Sequence, residues 1–188
     1  RVRVTNDQWA VVAALAAAVS VGLVSAFAYG RDFFDMLLGG QRFLAGTGLY
    51  EGSGPAFGMI GPPAQAVLLA PFAAIAGLSI TVARVCWFAF NFAGLVFGVR
   101  AWAAGLGLAR RPSWLLLAAA CAVAFPLYRE FQSQNMTLLL FWLTGVAAAQ
   151  LAAGDDTRAG IAIGVATAVK LFPGLAIVFL LMRGRWRA

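Results

Sequence analysis

Long apolar stretches separated by short polar breaks dominate the chain. Trp9–Tyr29 is 21 consecutive positions without a charge, and about 20 suffice for a helix to cross a bilayer. Its length and the lack of a cleavage site before Arg31 fit a retained membrane helix better than a signal peptide. Further apolar stretches lie near 63–80, 82–104, 112–128, 134–153 and 159–182. Tight connections join most of them: GLS at 77–79, GLGLARRP at 105–112 and AGDDTR at 153–158. The pattern predicts an all-α polytopic membrane protein with about six transmembrane helices, forming a single transmembrane domain over 1–188. Pro126 and the polar run Arg129–Asn135 end the fourth helix early, so that segment is short or re-entrant.

Residues 31–62 break the rhythm of tight turns. Phe33, Met36, Leu37, Phe43 and Leu44 fall on one helical face, and Asp32, Asp35, Gly39 and Arg42 on the other. That spacing predicts an amphipathic helix lying at the membrane surface. Six glycines within 46–61, followed by Pro62-Pro63, predict a shaped loop rather than a further helix. Long structured loops in compact proteins tend to carry function.

Orientation is less strongly written. With six spans, seven arginines collect on the N-terminal side and six on the other, too even a division for the positive-inside rule. The RGRWR cluster near the C-terminus favours that end inside, which also puts the N-terminus inside and makes 31–62 the first extracytoplasmic loop. A simple alternating path then places Gln134-Asn135 on the side opposite Asp32. A re-entrant fourth segment changes that.

Composition excludes a soluble domain. Hydrophobic residues make up 62% of the chain and charged residues 11%, against about 45–50% and about 25% in soluble proteins. The net charge of +7 comes largely from arginines at the ends of apolar runs. That placement suits lipid headgroups rather than nucleic acid. Histidine is absent, which removes histidine-based catalysis and most zinc sites. No metal-ligand cluster, P-loop or GxGxxG fingerprint is present, so neither a metal nor a cofactor is expected. Cys86 and Cys121 lie within apolar runs and read as packing residues.

A general base must therefore come from a carboxylate, a cysteine or the lysine. Asp7, Asp155 and Asp156 read as solvated loop charges, Glu130 as a partner of Arg129, and Glu51 has no obvious partner. Asp32 and Asp35 sit just past the first helix, against aromatic residues at the lipid–water boundary, where a carboxylate accepts a proton more readily. The structural alternative is that Asp32 caps the surface helix and Asp35 pairs with Arg42. Gln134 and Asn135 are polar groups in an apolar setting, facing either an aqueous cavity or neighbouring helices.

Lys170, the single lysine, lies within the apolar run Ala159–Met182. A charge at the centre of a spanning helix costs at least ~2.5–3.5 kcal/mol. It calls for an internal ion pair or an anion from outside, such as a lipid phosphate. Pro173, three residues on, predicts a kink that widens a cavity around the ammonium.

Three segments, in order, resemble a known family. The first is D-x(13)-G-x(3)-Y, here Asp32, Gly46 and Tyr50, after the first helix. The second is Pro62-Pro63 opening the second helix, with Pro71 inside it. The third is Gln134-Asn135, an apolar helix, a polar turn, Ala159-Gly160, Lys170 with Pro173, and Trp186-Arg187-Ala188. Together they resemble the family-87 glycosyltransferases, polyprenyl-phosphate-mannose-dependent mannosyltransferases with the membrane-embedded GT-C fold. The resemblance implies that this chain is the N-terminal half of such an enzyme. It implies transfer of a hexose, mannose in that family, from a polyprenyl-phosphate donor to a lipid or glycan acceptor with inversion. Asp32 maps onto the catalytic base of the first extracytoplasmic loop. Lys170 maps onto the family's lysine, an electrostatic partner either for the donor or for a structural network, and Gln134 and Asn135 map onto the family's GQ-N motif, lining the cavity. Arg31 and Arg42 are further candidate cations for the phosphate, and Asp35 and Tyr50 candidate substrate contacts. Two other functions fit the residues: a transporter or flippase for a small solute or lipid-linked sugar, using Lys170 and Gln134-Asn135 as a midplane site, and an inactive accessory subunit.

Overall fold

The computed structural model describes residues 20–24, 26–28, 30–50, 61–108, 125–186 and 188. Among them every regular element is helical: α1 (Arg31–Ala45), α2 (Pro63–Leu78), α3 (Ile80–Gly105), α4 (Thr137–Ala152), α5 (Asp156–Val169), a 3-10 turn (Phe172–Gly174) and α6 (Leu175–Met182). Residues 20–24, 26–28 and 125–133 are helical too. Most of the spans expected at 9–29 and 112–128 lies outside the described residues.

Local chemistry sets the boundaries. Pro63 occupies the first turn of α2, where a missing N–H costs nothing. The Ser79 side chain accepts from the Val82 N–H to start α3, and Asp155 accepts from the Arg158 N–H to start α5. Among the described residues one helix, α3 with 26 residues, is long and apolar enough to cross a membrane. Shorter apolar helices cover Pro63–Leu78, Thr137–Ala152 and Phe172–Met182.

Close helix contacts run through small residues. An added Cβ on Gly94 would approach Leu138, on Gly98 Phe141 and Trp142, and on Gly105 Ala148 and Ala149. The numbering difference between partners stays near 44 along this seam, so α3 and α4 run parallel. Around this seam an aromatic cluster fills the core, with Trp87 stacked on Phe33 and Phe90 and edge-on to Phe72.

Two expectations need correction. In α1 the buried positions are Phe33, Leu37, Gly39 and Gly40, whereas Phe43 and Leu44 are 45% and 55% exposed. A Cβ on Gly40 would lie 2.8 Å from the Leu69 carbonyl carbon. The glycines thus let α1 lie directly on α2, and the large apolar side chains of its last turn point outward.

The helix expected at 159–182 with a kink at Pro173 is interrupted outright rather than only kinked. It ends at Val169, Lys170 is extended (φ −151°, ψ 127°), and the 3-10 turn intervenes before α6. The physical reason is Pro173: in a continuous helix its ring would meet the Val169 carbonyl, four residues back, and could offer it no N–H.

Candidate functional site

Two residues in the left-handed region bring the distant segments together. Gly30 (φ 59°) precedes α1, and its N–H donates to the Gln132 carbonyl, 2.9 Å. Gln134 (φ 56°) is the one non-glycine with positive φ among the described residues. Its strained backbone ends the helical stretch 125–133 and is held by the Trp87 indole, which donates to the Gln134 carbonyl, 2.7 Å.

The next residue carries the contact that matters most. Asn135 Oδ1 accepts from the Met136 N–H, 2.7 Å. That bond orients the amide so that Nδ2 donates to Asp32 Oδ2, 2.9 Å. Asp32 and Asn135 are thus neighbours, not on opposite sides as a simple alternating path would have them. Leu138 faces Gly94 along the parallel seam, which puts Asn135 level with residue 91, about 16 Å from the start of α3 and about 21 Å from its end. The site lies within the length of α3 rather than beyond its ends.

A cavity of about 460 Å³ opens here, within the range of small-molecule sites. Asp32, Asp35 and Met36 from α1 line one part of it, and Gly61, Pro62 and Gln65 another. Asn135 and the helix break at Lys170, Leu171 and Phe172 complete the wall. Among the described residues Lys170 makes no ion pair. Two carboxylates and one ammonium therefore border the same space without neutralising one another directly. An anion entering it would meet an unpaired cation, and a hydroxyl beside Asp32 would meet a carboxylate whose Oδ2 is oriented by Asn135.

The structural alternatives for the two aspartates are not realised. Gly30 is the N-cap of α1, and no side chain caps that end. Arg42 donates to the Leu49 carbonyl, 3.1 Å, rather than pairing with Asp35. Nor does Arg129 pair with Glu130; it bonds the Gln132 side chain, and Glu130 Oε2 is buried without a partner.

The other expected site residues lie apart from the cavity wall. Arg31 is exposed at the start of α1. Tyr50 is 57% exposed, although its hydroxyl donates to the Gly61 carbonyl, 3.1 Å. Gln134 is 3% exposed, with neither amide atom partnered, and is not among the residues lining the cavity. Glu51 lies outside the described residues.

Two residues escaped the sequence reading. Gln65 is a buried polar residue of α2, and its Nε2 donates to the Val169 carbonyl, 2.8 Å. Arg84 donates to the Ala26 carbonyl and lies over the rings of Phe27 and Phe34. The available signal was a lone polar side chain near one end of each apolar helix. Among the described residues no group of three or more His, Cys, Asp or Glu could hold a metal ion.

The model of glycosyltransferase family 87 matches residues 60–188. That match takes in α2 through α6, Asn135 and Lys170, and leaves Asp32 and Asp35 outside. No curated protein and no solved structure matches the chain.

Proposed function

The chain belongs to glycosyltransferase family 87, and from that premise we propose that it is a multi-pass membrane glycosyltransferase using a polyprenyl-phosphate sugar donor. It transfers a hexose, mannose by the resemblance, to a lipid or glycan acceptor with inversion. The first loop, 31–62, faces the extracytoplasmic side of the plasma membrane, and the described residues form part of one transmembrane domain.

The observation that carries this reading is the cavity with Asp32 and Asp35 on one wall and the unpaired Lys170 on another. In the proposed reaction Asp32 takes the proton of an acceptor hydroxyl. The acceptor oxygen forms a bond to the anomeric carbon, and the bond from that carbon to the phosphate oxygen breaks. The electron pair leaves with the polyprenyl phosphate, whose growing charge is stabilised by the Lys170 ammonium. The donor carries its own leaving group, so no nucleotide site is required. Asp35 holds a sugar or acceptor hydroxyl within the same space. Where the bound donor excludes water from the cavity, the attraction between ammonium and phosphate is stronger than in bulk water.

Sugar transfer from labelled polyprenyl-phosphate-mannose, in membranes containing the full-length protein, tests the proposal. Asp32→Asn should abolish transfer at equal expression, and Asp35→Asn should reduce it. A protein that moves the intact lipid-linked sugar without transferring it, or keeps its rate as Asp32→Asn, is not this enzyme.

A further inference from the structure

The helix break at Lys170 leaves a specific debt in hydrogen bonding. A continuous helix would satisfy the Val169 carbonyl with the N–H of residue 173, but that residue is proline. The carbonyl sits at the end of α5, on a residue only 6% exposed, where an unpaired acceptor is costly. The missing donor comes from another helix: Gln65 Nε2 of α2, at 2.8 Å and 104 residues away in sequence. The N–H of the same peptide, that of Lys170, donates to the Ala166 carbonyl, 2.9 Å, so the Gln65 bond is the second of two that hold the plane of the peptide joining Val169 to Lys170. The two bonds together hold the direction in which the extended Lys170 leaves the helix, and Gln65 supplies the one that comes from outside α5.

We infer that Gln65 is a positioning residue that aims the Lys170 ammonium into the cavity. Its own amide is held in turn. An added Cβ on Gly61 would lie 1.9 Å from Gln65 Oε1, so the absence of a side chain at 61 is what leaves the amide its place. The Tyr50 hydroxyl donates to the Gly61 carbonyl, 3.1 Å, tying the end of the preceding loop to the same residue. A contact path thus runs from Tyr50 through Gly61 and Gln65 to the backbone of Lys170. The role of Lys170 toward a phosphate rests on the proposed transferase function. The aiming of the lysine by Gln65 does not.

Two variants break the bond in different ways. Gln65→Met keeps the length of the side chain and removes the donor. Gly61→Ala leaves Gln65 chemically intact and displaces its amide. The primary readout needs no enzymatic activity: the rate of Lys170 labelling by a water-soluble amine-reactive ester across a pH series, read by peptide mass spectrometry on the full-length protein.

Both variants should change that rate by roughly threefold or more at every pH, the scale of one lost hydrogen bond. In transfer assays Gln65→Met should lower kcat/KM for the donor roughly tenfold, and should have little further effect in a Lys170→Met background. Unchanged Lys170 labelling in folded variants would overturn the inference, as would an equal Gln65→Met penalty with and without the lysine. Loss of folding in both variants would overturn it as well, since the bond would then serve the fold alone. Absence of transfer in the wild type would count against the transferase function and leave the labelling result standing.

Discussion

Replacement of Asn135 tests the proposed catalytic geometry most directly. Its amide donates to Asp32 Oδ2 at 2.9 Å, and that orientation is set by the Met136 N–H. A hydrogen bond to a charged group contributes roughly 1.5–3 kcal/mol. Both residues are partly exposed, so water recovers part of that in Asn135→Ala, leaving a loss of about 1–2 kcal/mol. That corresponds to a roughly 5- to 30-fold fall in kcat/KM.

Asn135→Asp should be worse. It places a second carboxylate where the donor stood. At 2.9 Å two like charges repel by about 1.4 kcal/mol in water and about 6 kcal/mol at an effective dielectric constant near 20. That repulsion favours a proton shared between the two carboxylates, and a protonated Asp32 cannot act as base. Raising the pH removes that proton, so the activity lost at neutral pH should partly return in alkali. Initial rates from labelled donor between about pH 6 and 9, with thermal unfolding as a control, decide the matter. A rate for Asn135→Ala within about twofold of wild type would refute the role of this bond, as would an Asn135→Asp variant faster than Asn135→Ala at neutral pH.

Other perturbations separate site from scaffold. Lys170→Met should cost roughly 10²–10³-fold in kcat/KM, with Lys170→Arg keeping part of the rate; a loss of folding alone, without a kinetic defect in the folded fraction, would argue for a structural role. Gln134→Met removes a buried amide that has no partner, so thermal stability should hold or rise, and transfer should stay within about threefold of wild type. A larger loss of transfer would place Gln134 in contact with substrate. Gly40→Val drives a side chain onto the Leu69 backbone and should lower stability by about 1–3 kcal/mol. Gly77→Ala, with nothing within 4 Å of the new Cβ, should be neutral or slightly stabilising in the same unfolding assay.

The helical segments at α2, α3 and α4 could be read from the chain because sustained apolarity is a local property, counted along a window of neighbours. The pairing of candidate groups is not local. Asp32 and Asn135 are 103 residues apart, and an alternating path separates them. They meet because α4 runs parallel to α3 and because left-handed Gln134 turns the chain toward α1. Gly39 was misplaced on the polar face for a related reason: periodicity records side-chain polarity, whereas Gly39 and Gly40 are buried, and at Gly40 the α2 backbone comes too close for anything larger.

The break beside Lys170 shows the division at a single residue. By sequence alone, Pro173 determines that a helix through it must lose the hydrogen bond to Val169, because proline has no N–H to give. What becomes of that carbonyl is decided only by the tertiary structure, because the donor belongs to Gln65 on a different helix. The same holds for the lysine: its charge is in the sequence, but that it has no ion pair among the described residues depends on which helix ends surround it.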